Sequence, residues 1–152
     1  STTRSSERPT TLPQIPPVVT TLSPLLRADT EFIGEINEHE KTAFLGGAEA
    51  LLFPIDWPEP FGLVMIEAMA CGTPVLAFDC GSVREVVDHG VTGHIVSSVD
   101  EALATLPQTL ALNRAQVRDG AAILTFLMPV FVDLMMDDPG KDWGKPFYPV
   151  VA

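Results

Sequence analysis

Apolar residues in this chain fall into short runs divided by polar turns, and from Glu31 onward the runs recur at roughly 20-residue spacing. Residues 31–36 (Glu31-Phe32-Ile33-Gly34-Glu35-Ile36) open as a short apolar strand. Asn37 can cap a helix over residues 38–46, with acidic side chains in the first turn where the helix dipole favours them. Gly46-Gly47 ends that helix, and residues 50–54 form a second buried strand. A helix over residues 61–71 follows, then Gly72-Thr73-Pro74 turns the chain into a strand at 75–78. Gly81-Ser82 opens a short helix over 83–88, residues 90–93 turn, residues 94–96 make a further strand, and Ser98 or Asp100 caps a helix over 101–106.

Four alternations of short, wholly apolar strands with helices predict an α/β domain: about four parallel strands with helices on both faces. The simplest such architecture is a Rossmann-like half of a doubly wound domain. No G-x-G-x-x-G follows any strand, so the dinucleotide fingerprint is absent and an oxidoreductase is disfavoured. The ends read differently. Residues 1–22 are rich in Pro, Ser and Thr, which is linker chemistry. After Asp119 the alternation breaks down, with an interrupted apolar run over 121–136 and a Pro/Gly/Asp-rich tail. The expected division is therefore 1–22 irregular, 23–118 a partial nucleotide-binding type of domain, and 119–152 an apolar segment with an irregular tail. The 121–136 run is too broken for a membrane span and reads as a loosely packed or exposed apolar segment.

Composition adds limits. With 46% hydrophobic and 19% charged residues the middle of the chain is globular, and a net charge of −11 argues against nucleic acid as a partner. Between Ala28 and Val83 the only Lys or Arg is Lys41. Cys71, Cys80 and the three histidines have no metal-ligand spacing, so no metal site is expected and both cysteines read as small buried residues. The polar, Pro-containing start has no apolar leader region, which leads to an expectation of a cytoplasmic protein, including one at the inner face of the membrane.

The helix over 61–71 carries the chemistry. It is apolar on nearly every face, its single charge is Glu67, and such a carboxylate needs a partner. The preceding loop leaves the carboxyl end of a parallel strand, where open α/β sheets bind ligands. The first-turn N–H groups of Phe61, Gly62, Leu63 and Val64, with the helix dipole, suit an anion, and Gly62 permits close approach to the backbone. Helical side chains lean toward the N-terminus, so Glu67 can reach back to the crevice and accept from paired hydroxyls such as those of a ribose. Glu59, held between Pro58 and Pro60, can accept from a sugar hydroxyl beside the anion site. Two carboxylates also serve glycoside hydrolysis, but at one helix entrance they suit binding along a ligand better than flanking one bond. The plain alternative keeps Glu59 as a solvated N-terminal acid and Glu67 as a core residue bonded to backbone.

The run from Glu59-Pro60-Phe61-Gly62-Leu63 through Glu67-Ala68-Met69-Ala70-Cys71-Gly72-Thr73-Pro74-Val75 resembles the E-x7-E signature of retaining glycosyltransferases of the GT-B fold, family 4, also called group 1. Phe32-Ile33-Gly34 with Glu40-Lys41, then Gly81-Ser82-Val83-Arg84-Glu85 and Gly90-Val91-Thr92-Gly93, are similar to the family's flanking motifs in the same order. The resemblance implies a nucleotide-sugar donor site with no cofactor and no metal, for a UDP-, GDP- or ADP-sugar. It implies that Glu67 holds the ribose hydroxyls, that Glu59 contacts the transferred sugar as the catalytic carboxylate, and that the amides of residues 61–64 approach sugar and diphosphate. Transfer would run with retention to a glycan, lipid or small-molecule acceptor. Two departures accompany the likeness. The Arg and Lys of the family's upstream clamp have no counterpart here, and the acceptor-binding domain is not in these 152 residues. The expectation is therefore a donor-binding portion, a truncated or disrupted copy that is incomplete alone. The alternative is a non-catalytic nucleotide-sugar-binding or partner-docking module, paired with a separate acceptor-domain partner chain.

Overall fold

The computed structural model describes residues 27–31, 33–34, 36–58, 61–136 and 150–151, the side chains of 125, 128–136 and 150–151 aside. It divides into two units, Ser1–Gly34 and Glu35–Ala152. In the first, the described residues hold a turn closed by the Thr30 N–H donating to the Arg27 carbonyl at 3.0 Å. The strand expected over 31–36 is not formed at Ile33, Gly34 or Ile36. Gly34 takes φ 70°, a left-handed conformation that interrupts an extended run.

The second unit is an α/β layer structure. In chain order it contains α1 (Glu38–Gly47), β1 (Leu51–Phe53), α2 (Leu63–Ala70), β2 (Val75–Phe78), α3 (Val83–Val86), β3 (Gly93–Val96), α4 (Val99–Leu110), α5 (Arg114–Met136) and β4 (Val150–Val151). The sheet order is β3-β2-β1-β4. β1 pairs parallel to β2 with Leu51 opposite Val75, and β2 pairs parallel to β3 with Ala77 opposite Ile95. Three strands are thus parallel rather than about four, and the fourth, β4, runs antiparallel to β1. The strands are apolar on both faces because helices cover them, with α2 against β1 and β2, and α4 against β2 and β3.

Local chemistry sets the helix ends. Asn37 caps α1 by accepting from the Glu40 N–H at 3.0 Å. Ser98 caps α4 by accepting from the Glu101 N–H at 3.2 Å, and α4 continues through Pro107 to Leu110, beyond the expected stop at 106. Proline there removes one helix donor, a loss the helix absorbs. Asn113 accepts from the N–H groups of Ala115 and Gln116 at 3.0 and 3.2 Å, starting α5. That helix runs unbroken across Asp119 and Pro129, where the sequence pattern predicts a breakdown. Its first half is anchored by Val117 and Ala121, both fully buried in the core. Further along, Ile123 and Phe126 are 73% and 81% exposed, in line with an exposed apolar segment. Among the described residues no helix is long and apolar enough to cross a membrane.

Candidate functional site

α2 is eight residues long and buries Met65, Ile66, Ala68 and Met69 against the sheet and α5. Leu63, Glu67 and Ala70 lie along its outer strip, so the helix is not buried all round, as its composition implies, and Glu67 is not a core residue. The Glu67 side chain is 39% exposed. Its partner is Lys41 of α1, whose Nζ donates to Glu67 Oε1 at 2.9 Å. The same Nζ meets Glu38 Oε1 at 2.7 Å, one turn back on α1. Burial by itself lowers the Lys41 pKa, but the hydrogen bonds to Glu38 and Glu67 outweigh it and hold the ammonium above its ordinary value. Lys41 is therefore charged throughout the neutral range.

The start of α2 lies two residues later than expected, at Leu63 rather than 61. Gly62 has φ 58° and ψ 45°, a left-handed bend that a helix cannot include and that other residues adopt only at a cost. The bend aims the first turn of α2 at the carboxyl end of β1, the edge at which α/β sheets take ligands. Leu63 and Val64 present first-turn N–H groups there, of the kind intrahelical bonding leaves over. Phe61 and Gly62 each make a further interaction within the fold. Glu59 and Pro60 lie outside the described residues.

The next strand end contributes a second polar group. Ser82, at the start of α3, is only 7% exposed. Among the described residues its Oγ has no hydrogen-bond partner, and a Cβ placed on Gly62 would lie 3.6 Å from it. A buried hydroxyl without a partner costs about 1–3 kcal/mol, so this one, near the entrances of two helices, is open to a water or a ligand group. Asp79, directly after β2, holds Arg84 through both its oxygens, with Nε to Oδ1 at 2.6 Å and Nη2 to Oδ2. The Arg84 hydrogen bonds lower the Asp79 carboxyl below its usual range.

Sequence reasoning singled out Glu67 and Gly62 but missed Lys41 as the partner of Glu67. The available signal was its isolation as the one cation across fifty residues. The sequence places Ser82 at the opening of a short helix and in a family-like flanking motif but not among the site residues, because being buried without a bond leaves no mark in sequence. Neither cysteine is fully buried. Cys71 and Cys80 are half-buried free thiols, and burial with the nearby Glu67 charge pushes the Cys71 thiol up. Among the described residues no group of three His, Cys, Asp or Glu side chains could hold a metal ion. A shallow hollow lined by Ala70, Arg118, Ala122 and Phe126 lies at the far end of α2, away from these polar groups.

Comparison with known proteins bears on this arrangement. The family model described as glycosyl transferases group 1 matches residues 21–118. The phosphatidyl-myo-inositol mannosyltransferase of Mycobacterium leprae (strain TN) is 36% identical over 95 residues, covering 59% of this chain and 25% of that protein. A glycogen synthase of Mycobacterium tuberculosis (strain H37Rv form, ATCC 25618) is 44% identical over 69 residues, covering 45% of this chain and 16% of the relative. Among solved structures, sucrose-phosphate synthase from Thermosynechococcus elongatus superposes with a TM-score of 0.53 at 27% identity, over 80% of this chain and 34% of that one. The chain spans about a quarter or less of the length of these curated relatives.

Proposed function

The chain belongs to the glycosyl transferases group 1 family, and from that premise we propose that residues 23–118 form a donor-binding portion of a retaining, family 4 glycosyltransferase. The observation that carries this reading is the entrance of α2. There the left-handed Gly62, the first-turn amides of Leu63 and Val64 and the buried, unpartnered Ser82 hydroxyl meet at the carboxyl edge of the parallel strands. A helix N-terminus with a bare backbone approach suits the phosphates of a nucleotide-diphosphate sugar.

Glu67 lies four residues beyond Leu63, about 6 Å along the helix axis at 1.5 Å per residue. Its lean toward the N-terminus suits acceptance from ribose hydroxyls. Each carboxylate oxygen has two lone pairs, so the bond from Lys41 to Oε1 leaves acceptor capacity on both oxygens. Glu59 is assigned the transferred sugar, and the leaving diphosphate is the charge that the site must stabilise. The nucleoside is uridine, guanosine or adenosine, and the acceptor is a glycan, lipid or small molecule held by surfaces beyond the family-matched segment. Donor binding with little transfer is the property expected of these 152 residues by themselves.

Calorimetric titration of the chain with UDP-, GDP- and ADP-sugars tests the reading. One donor class should bind, and Glu67→Ala should weaken it by tenfold or more, about the worth of one hydrogen bond to a charged group. Absence of heat with every nucleotide sugar would overturn it.

A further inference from the structure

Lys41 is the one side chain that joins α1 to the outer strip of α2 by an ion pair among the described residues, and its setting is more constrained than a surface pair requires. Its side chain is 27% exposed, whereas Glu38, which it also meets, is 82% exposed. Two carboxylates hold the same ammonium, at 2.7 and 2.9 Å, so its position is defined from two sides. The helix it stands on is fixed at its own start. Asn37 accepts from the Glu40 N–H and donates through Nδ2 to Glu40 Oε2 at 2.7 Å. α1 then packs on α2. Exposed pairs of this kind contribute little to stability, so the two-sided grip is poorly explained as a device for holding the fold.

We propose that Lys41 is a positioning residue for Glu67: it fixes the carboxylate in one rotamer, ready to accept from the vicinal hydroxyls of a ribose. This rests on the donor-site reading above. A free glutamate on a helix surface samples several rotamers, and a ligand must restrict them on binding. A carboxylate already clamped through Oε1 loses less freedom, and its charge strengthens each hydroxyl bond. Glu38 acts one step further back, by holding Lys41.

The test is calorimetric titration of the full chain, Lys41→Met, Lys41→Arg and Glu67→Gln. The probes are UDP, GDP and ADP, each as the ribonucleotide and as its 2′,3′-dideoxy form. Lys41→Met should weaken the ribonucleotide that binds by about tenfold and leave the dideoxy form bound as in the parent chain. Lys41→Arg should restore ribonucleotide affinity to within about threefold, since it retains the charge. A merely structural role predicts equal loss for both forms, and that result overturns the inference. So does unchanged ribonucleotide affinity in Lys41→Met while Glu67→Gln weakens it, an outcome that leaves the donor-site reading standing. If no ribonucleotide binds the parent chain, the donor-site reading falls and this inference falls with it.

Discussion

The two ends of α2 are built on opposite principles. At its C-terminal end the chain is tied by hydrogen bonds to its own turn and to a neighbouring helix. The Gly72 N–H donates to the Met69 carbonyl at 2.8 Å and the Thr73 N–H to the Ala68 carbonyl at 2.9 Å, with Gly72 at φ 78°, a Schellman motif. Arg114 then locks the turn from α5. Its Nη1 donates to the Ala48 carbonyl at 2.7 Å, and its Nη2 to the Gly46 carbonyl at 2.8 Å and Thr73 Oγ1 at 2.9 Å. Thr73, fully buried, donates in turn to the Leu45 carbonyl at 2.6 Å. At the N-terminal end the helix begins on a left-handed glycine, beside a buried hydroxyl with no partner and ahead of a half-exposed carboxylate. A closed network stabilises a fold, whereas an unsatisfied polar group at a strand-end crevice leaves bonding capacity that a water or a ligand can take up.

That contrast can be broken experimentally. The largest effect should come from Arg114→Ala, which removes three hydrogen bonds and strips the carbonyls that end α1. A loss of about 2–3 kcal/mol in urea denaturation is expected, with nucleotide-sugar affinity of the folded protein unchanged. A loss below about 0.5 kcal/mol, the usual range of surface changes, would show that the clasp contributes nothing. Ser82→Ala at the other end should move the two properties in opposite directions. Deleting an unbonded buried hydroxyl should raise stability by about 1 kcal/mol while weakening the nucleotide sugar. If both fall, Ser82 belongs to the scaffold and the distinction between the ends fails.

The smallest effect lies away from both ends and serves as a control. His94 on β3 is buried, and its Nδ1 lies 3.0 Å from Thr109 Oγ1 of α4. The Thr109 hydroxyl donates to the Thr105 carbonyl at 3.3 Å, which leaves it to accept from Nδ1–H of a neutral ring. His89, 5.2 Å away edge to face, accepts the Ile95 N–H on its own Nδ1. Burial first, and the neighbouring His89 second, lower the His94 pKa. The folded state therefore binds this proton less readily than the unfolded chain. Stability should be full above the ordinary histidine value, about 6.5, and should decline as pH falls through it toward the lower folded value. Melting temperatures between pH 7.5 and 5.5 should fall slightly in the parent chain, and the slope should flatten in His94→Gln.

Much of the scaffold was legible because its signals are local. β2 occupies residues 75–78 as the apolar run implies, the Asn37 cap is where the polar residue and acidic first turn put it, and Glu67 stood out as a lone charge in an apolar helix. The misreadings arose where a distant contact overruled a local pattern. α5 passes Asp119 because Val117 and Ala121 bury into the core on either side of it. The misreading at Gly34 is local instead: its left-handed φ interrupts the extended run expected there.

By itself the sequence determined the alternation of strand and helix, the family motif and the chemical oddity of Glu67, since hydrophobic period, caps and residue type act within a few positions of one another. Only the tertiary structure decided what Glu67 touches. Lys41 stands 26 residues away, and the two meet because α1 packs on α2. Arg114, 41 residues beyond Thr73, reaches its partners by the same route, through helix packing. Ser82 became conspicuous only once the fold buried its hydroxyl without a protein hydrogen bond among the described residues. Partnership and desolvation depend on which surfaces come together in space, and neither leaves a local mark on the chain.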